Sequence, residues 1–118
     1  MALKNNDYFF LNSTITQFKS TLFNLVSEWG ADHSTTFLLT YNGIKEATGR
    51  ERLTPITIKD YVSYLASHGF MAEEGQHGIT AEGNVRSLLL TPNESISVSN
   101  ALEIFRSRAH LHGDVDNY

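Results

Sequence analysis

The chain has 118 residues, no cysteine and a net charge of −4 at pH 7 with neutral histidines. That length supports one domain around a single core, and the lack of thiols excludes a disulfide framework and a thiolate metal site. The acidic balance argues against a generic nucleic-acid coat, while no run of 18 apolar residues and no signal-peptide pattern occurs, so a soluble cytoplasmic protein without a membrane segment is expected.

Residues 1–11 hold a small apolar cluster, Phe9, Phe10 and Leu11, after a loose start. A helix is predicted from Thr14, because Ile15, Phe18, Leu22, Leu25 and Trp29 alternate steps of three and four, with Val26 beside them. Thr14 and Gln17 have capping-box spacing, and Gly30 ends the run. Such a seam is either the main internal strut or half of a dimer contact. The β-branched and apolar run 35–39 predicts a brief strand, and 42–48 a short helix held down by Ile44 and Ala47.

A basic connection, Gly49 to Leu53, leads into the best-marked helix of the chain. Thr54 is its N-cap and Pro55 its first residue, where a missing N–H costs nothing. Ile58, Tyr61, Val62 and Leu65 share one face, which predicts that Thr57, Lys59, Asp60 and Ser63 lie on the free one. After Gly69, the pieces 70–74 and 79–83 flank Gly75-Gln76-His77-Gly78, so a small hairpin is expected. Residues 79–91 allow two readings: Thr80 capping a further helix with Glu82 in its first turn, which is preferred, or a hairpin turning at Glu82-Gly83-Asn84. Thr91 to Ser95 reads as a break, 97–109 as a helix with Val98, Ala101, Leu102 and Phe105 in line, and 110–118 as a frayed tail.

Helix, turn, helix, "SHGF", a hairpin and the phrase "GITAEG" together resemble the winged helix-turn-helix superfamily of prokaryotic DNA-binding regulators, over residues 14–90. The resemblance implies a mainly α protein with a small β wing (α+β), a single winged helix-turn-helix domain with extra N- and C-terminal helices. It also implies that the second helix of the unit enters a major groove. Thr54, Ile56, Thr57, Lys59, Asp60 and Ser63 would then face the groove, with Thr57 touching base edges, Lys59 reaching guanine acceptors or a phosphate, and Asp60 either accepting from a cytosine amine or lying outside the contact. Lys45, Arg50 and Arg52 would clamp phosphates. In this segment Lys45, Arg50, Arg52 and Lys59 outnumber Glu46, Glu51 and Asp60 by one. Two features depart from the pattern: the turn is enlarged by Arg50-Glu51-Arg52, and the wing, with Glu73 and Glu74, carries no arginine.

Serines and histidines occur without an elbow motif or a glycine-rich phosphate loop, so no enzyme, catalytic residue or cofactor is predicted. His110, His112, Asp114 and Asp116 are of metal-ligating type, but in a polar tail they read as solvated side chains and no metal site is assigned. The expected function is sequence-specific binding of double-stranded DNA by a homodimer, as a transcriptional or plasmid/phage regulator. The alternative is the same fold serving as a protein-interaction module that does not bind DNA.

Overall fold

The computed structural model describes residues 2–116, with side chains through Arg108. Its elements follow the order α1 (Asn5–Trp29), β1 (Thr35–Thr40), α2 (Tyr41–Thr48), α3 (Pro55–Ser67), β2 (Met71–Glu74), β3 (Gly78–Gly83) and α4 (Pro92–Asp116). The protein is therefore of mixed α+β class, with four helices and one small antiparallel sheet in the order β1-β3-β2 among the described residues. Among the described residues, no helix is long and apolar enough to cross a membrane.

The first helix begins well before Thr14. Asp7 supplies the cap, its Oδ2 accepting the Lys4 N–H at 2.8 Å. The hydroxyl of Thr14 donates instead to the Phe10 carbonyl one turn back, as threonines do inside helices. The buried stripe is Leu11, Ile15, Phe18, Leu22 and Val26. Trp29, placed in the seam by its spacing, is 60% exposed and stacks on His33, because it lies at the last residue of the helix, beyond Val26, the last residue of the buried stripe.

The hairpin of β2 and β3 forms as its glycines suggested, closed by a Gly75 N–H to Gly78 carbonyl bond of 2.7 Å. Residues 79–91 adopt neither reading offered for them. Ile79, Ala81 and Gly83 alternate as buried positions on the central strand, Ile79 pairing with Leu39 on one side and Glu74 on the other. A strand with partners on both edges outweighs the single cap that Thr80 offers a helix. Asn84 then closes one tight turn, its Oδ1 accepting the N–H groups of Arg86 and Ser87.

The supposed break at Thr91 is a helix start. Thr91 Oγ1 accepts the Glu94 N–H at 3.2 Å and Glu94 Oε1 accepts the Thr91 N–H at 2.8 Å, a reciprocal capping box with Pro92 at the first helical position. Helix α4 thus begins earlier than residue 97, and its backbone stays helical through Asp116, where a frayed tail was expected. Lys19 of α1 lies opposite Glu94, and Gly30 lies against the ring of Phe105, so α1 and α4 run side by side in the same direction. The buried Lys19 ammonium donates to the Leu89 carbonyl at 2.8 Å and to Glu94 at 3.2 Å. Burial pushes the Glu94 carboxyl up, but the Thr91 N–H and the Lys19 ammonium outweigh that and hold it below its ordinary value.

Between the layers, Phe18, Phe37 and Phe70 meet with ring centroids 5.0 to 5.5 Å apart. These rings join α1, β1 and the exit of α3 into one core. Gly69 makes that exit. Its φ is +92°, and a Cβ there would come within 2.0 Å of the Ser87 carbonyl oxygen, so only glycine lets the chain pass under residue 87.

Candidate nucleic-acid interface

Thr40 caps α2 by accepting the Gly43 N–H at 3.0 Å, and Gly49, at φ +76°, ends that helix in the left-handed region. The turn through Leu53 then delivers the chain to Thr54, whose Oγ1 accepts the Thr57 N–H at 3.3 Å, with Pro55 opening α3 as its spelling predicts. Tyr41 links this unit to the hairpin: its N–H donates to the His77 carbonyl and its hydroxyl to the Gly75 carbonyl at 2.8 Å. Burial and the neighbouring Glu74 raise the Tyr41 pKa, so the phenol stays a donor.

The predicted free face of α3 is only partly free. Ile56, Lys59 and Ser63 are exposed, as are Ala66 and Ser67 further along the same side. Thr57 is not: it is 2% exposed, in line with Tyr61 and Leu65 on the inner stripe, its hydroxyl 3.0 Å from that of Thr54. No base edge can reach it. Asp60 is half-buried and accepts the Ala2 N–H at 2.7 Å, so its carboxylate ties down the segment preceding α1.

Arg50 is likewise withdrawn from phosphate clamping. Its guanidinium grips Asp7, Nε to Oδ1 at 2.9 Å and an NH2 group to Oδ2 at 2.6 Å, and the same NH2 group donates to the Ala2 carbonyl at 2.8 Å. Tyr61 adds a hydroxyl bond of 2.6 Å to Asp7 Oδ1. Burial pushes the Asp7 carboxyl up, but the bonds from Arg50, Tyr61 and the Lys4 N–H, with the charge of Arg50, bring it down to about 2. Burial and the bond to Asp7 drive the Tyr61 hydroxyl far above its ordinary range. This closed network binds the start of α1, the α2–α3 turn and α3 to one another.

The cations left toward solvent are Arg52, exposed in the turn, Lys59, exposed on α3, and Lys45, half-buried on α2. None of the three is in an ion pair among the described residues. Lys4 joins them, because the anchoring of residues 2–7 puts it on the rim of a cleft that Asn6, Gly49 and Arg52 also line. Nothing in the sequence marks Lys4, since its position follows from contacts spanning more than forty residues. The hairpin presents Glu73 and Glu74 to solvent.

Compared with family models, with curated proteins and with solved structures, the chain matches none of them. The geometry therefore carries the functional argument alone. It offers a helix whose outer side carries Ile56, Lys59, Ser63, Ala66 and Ser67, preceded by a basic turn and followed by an acidic hairpin. The histidines and aspartates of 110–116 have side chains outside the described residues. Among the described residues, no three metal-ligating side chains come together.

Proposed function

We propose that the chain is a winged-helix domain that binds double-stranded DNA sequence-specifically as a homodimer, acting as a transcriptional or plasmid/phage-type regulator. The observation that carries this reading is the outer side of α3: Ile56, Lys59 and Ser63 stand uncovered, the basic turn lies at the N-terminus of the helix and the hairpin directly follows it. Lys59 and Ser63 supply polar contacts to base edges and Ile56 an apolar contact for a thymine methyl. Arg52, Lys45 and Lys4 are the phosphate contacts, a set that gains Lys4 and gives up Arg50. With so few cations per protomer, monomer binding is weak and salt-sensitive, and two-fold symmetry on an inverted repeat supplies the remaining affinity.

Selecting duplexes from a random pool tests this directly, and enrichment of a palindrome is the expected result. On the selected duplex, Arg52→Ala lowers affinity for every sequence and flattens the salt dependence by about one charge, whereas Lys59→Ala lowers specific more than non-specific binding. A pool that returns no enriched sequence, or affinities that neither variant changes, overturns the reading.

One observation favours a second reading, the protein-interaction module. On the outer face of the sheet, Met71 is 71% exposed and Leu38 56%, and the register sets Met71 beside Glu82 and Glu73 beside Thr80. Exposed apolar side chains on both edge strands, set among the carboxylates of Glu73 and Glu82, suit a basic partner protein. Retention on heparin that falls with salt distinguishes the two, since only the DNA binder shows it.

A further inference from the structure

Successive side chains of β1 alternate between its two faces, so Thr35, Phe37 and Leu39 turn toward α1 while Thr36 and Leu38 are exposed. Helix and strand do not close on each other completely, and a groove of about 440 Å³ stays open between them. That volume lies within the roughly 300–1,000 Å³ of a small-molecule site. Phe10, Phe18, Phe37 and Leu39 make its apolar part. The Phe18 and Phe37 rings, with centroids 5.0 Å apart, form one aromatic wall, a surface suited to another aromatic body.

The polar part of the lining narrows the ligand further. Thr35 lines the same groove, and its hydroxyl oxygen is the one buried side-chain polar atom among the described residues without a hydrogen-bond partner. Such an atom is costly, and folded proteins rarely keep one unless water, an ion or a ligand completes it. The Thr14 and Thr21 hydroxyls are already spent on the Phe10 and Gln17 carbonyls, whereas the Gln17 amide is exposed at the rim. Thr35 and Gln17 are therefore two polar points above an aromatic floor. Among the described residues no carboxylate, ammonium or guanidinium lines the groove, so an ionised ligand would shed its hydration there without gaining a counter-charge.

The groove also reaches toward α3. Phe18 and Phe37 both touch Phe70, with centroids 5.1 and 5.5 Å away. Phe70 follows Gly69 at the exit of α3, and its N–H donates to the Leu65 carbonyl in the last turns of that helix. A molecule pressed against the first two rings bears on the third, and through it on the end of α3.

We propose that the α1–β1 groove is an effector site for an uncharged aromatic small molecule bearing one or two hydrogen-bonding groups, seated on the Phe18–Phe37 wall and bonded to the Thr35 hydroxyl. Its occupation shifts affinity for the duplex. Only that second part rests on the reading of the chain as a DNA binder.

Tryptophol and indoleacetate, an uncharged and an anionic indole of similar size, are suitable probes. They are titrated into the full chain without DNA and followed by amide NMR shifts. Tryptophol is expected to bind with a dissociation constant below about 1 mM, and at least about fivefold more tightly than indoleacetate. Its shifts centre on residues 14–21 and 35–39, which border the groove. Thr35→Val removes the orphaned oxygen and keeps the shape, so the variant is at least as stable as wild type in urea yet binds tryptophol about threefold or more weakly. Gln17→Lys, a change at an exposed position, tightens indoleacetate by about threefold or more. Saturating tryptophol changes affinity for the selected duplex by at least about twofold. No binding of tryptophol, shifts centred elsewhere, equal affinity for the anion, or an unchanged constant in either variant overturns the site. Unchanged duplex affinity at saturation overturns the effector role. The NMR titrations need no duplex, so the site and the DNA reading fail separately.

Discussion

Removing the carboxylate of Asp7 is the sharpest test of how the α2–α3 unit is held. Asp7 is 1% exposed and accepts from Arg50, Tyr61 and the Lys4 N–H at once. In Asp7→Ala, the Arg50 guanidinium, whose side chain is 16% exposed, and the buried Tyr61 hydroxyl lose their acceptor together. Breaking a buried pair by deleting one member costs about 3–5 kcal/mol, and losing a helix cap about 1 kcal/mol. That sum is a large part of the roughly 5–15 kcal/mol that holds a domain of this size. Urea unfolding followed by circular dichroism is expected to show the loss as a lower midpoint at unchanged slope.

The pH dependence supplies a second measure. The carboxyl falls from its ordinary 3.8 to about 2 in the folded chain. A depressed carboxylate contributes stability that is complete above pH 4 and is lost as pH falls toward 2, about 2 kcal/mol in all. The gap between wild type and Asp7→Asn therefore narrows across that interval. A loss below about 1 kcal/mol in Asp7→Ala, or a gap to Asp7→Asn that does not change between pH 5 and pH 2, refutes the argument.

Two further substitutions separate structural from contact roles. Thr57→Val removes the hydroxyl paired with Thr54 but keeps the buried shape, so stability drops by about 1 kcal/mol while affinity for the selected duplex holds in anisotropy titrations. A specific loss of binding in a stably folded Thr57→Val would return that residue to the interface. Gly69→Ala forces a Cβ to within 2.0 Å of the Ser87 carbonyl at a left-handed backbone position, and a fall of at least about 2 kcal/mol in thermal or urea unfolding is expected. Wild-type stability there would mean that residues 84–90 do not pass over the end of α3.

The parts legible from sequence are those whose signals are local. Thr54 with Pro55 marks the start of α3, Gly75 and Gly78 flank the hairpin turn, and runs of threonine, phenylalanine and leucine mark β1. The Thr91-Pro92-Asn93-Glu94 box was equally local, and reading its proline and asparagine as a break hid a cap that the glutamate at the third helical position announces.

Other choices rest on partners that no short window contains. Spacing divides α3 into two faces but does not say how wide the inner one is. Contacts from Ala2 and Asp7, 58 and 43 residues away from Asp60 and Arg50, withdraw those two side chains from the outer surface, while Thr57 falls on the inner stripe with Tyr61 and Leu65. Residues 78–83 become a strand because β1 and β2 satisfy both of their backbone edges. Caps and turns are settled by a few neighbouring atoms and can be spelled in four letters. Burial and charge pairing are settled by which distant segment arrives against a face, and that arrival is a property of the folded chain alone.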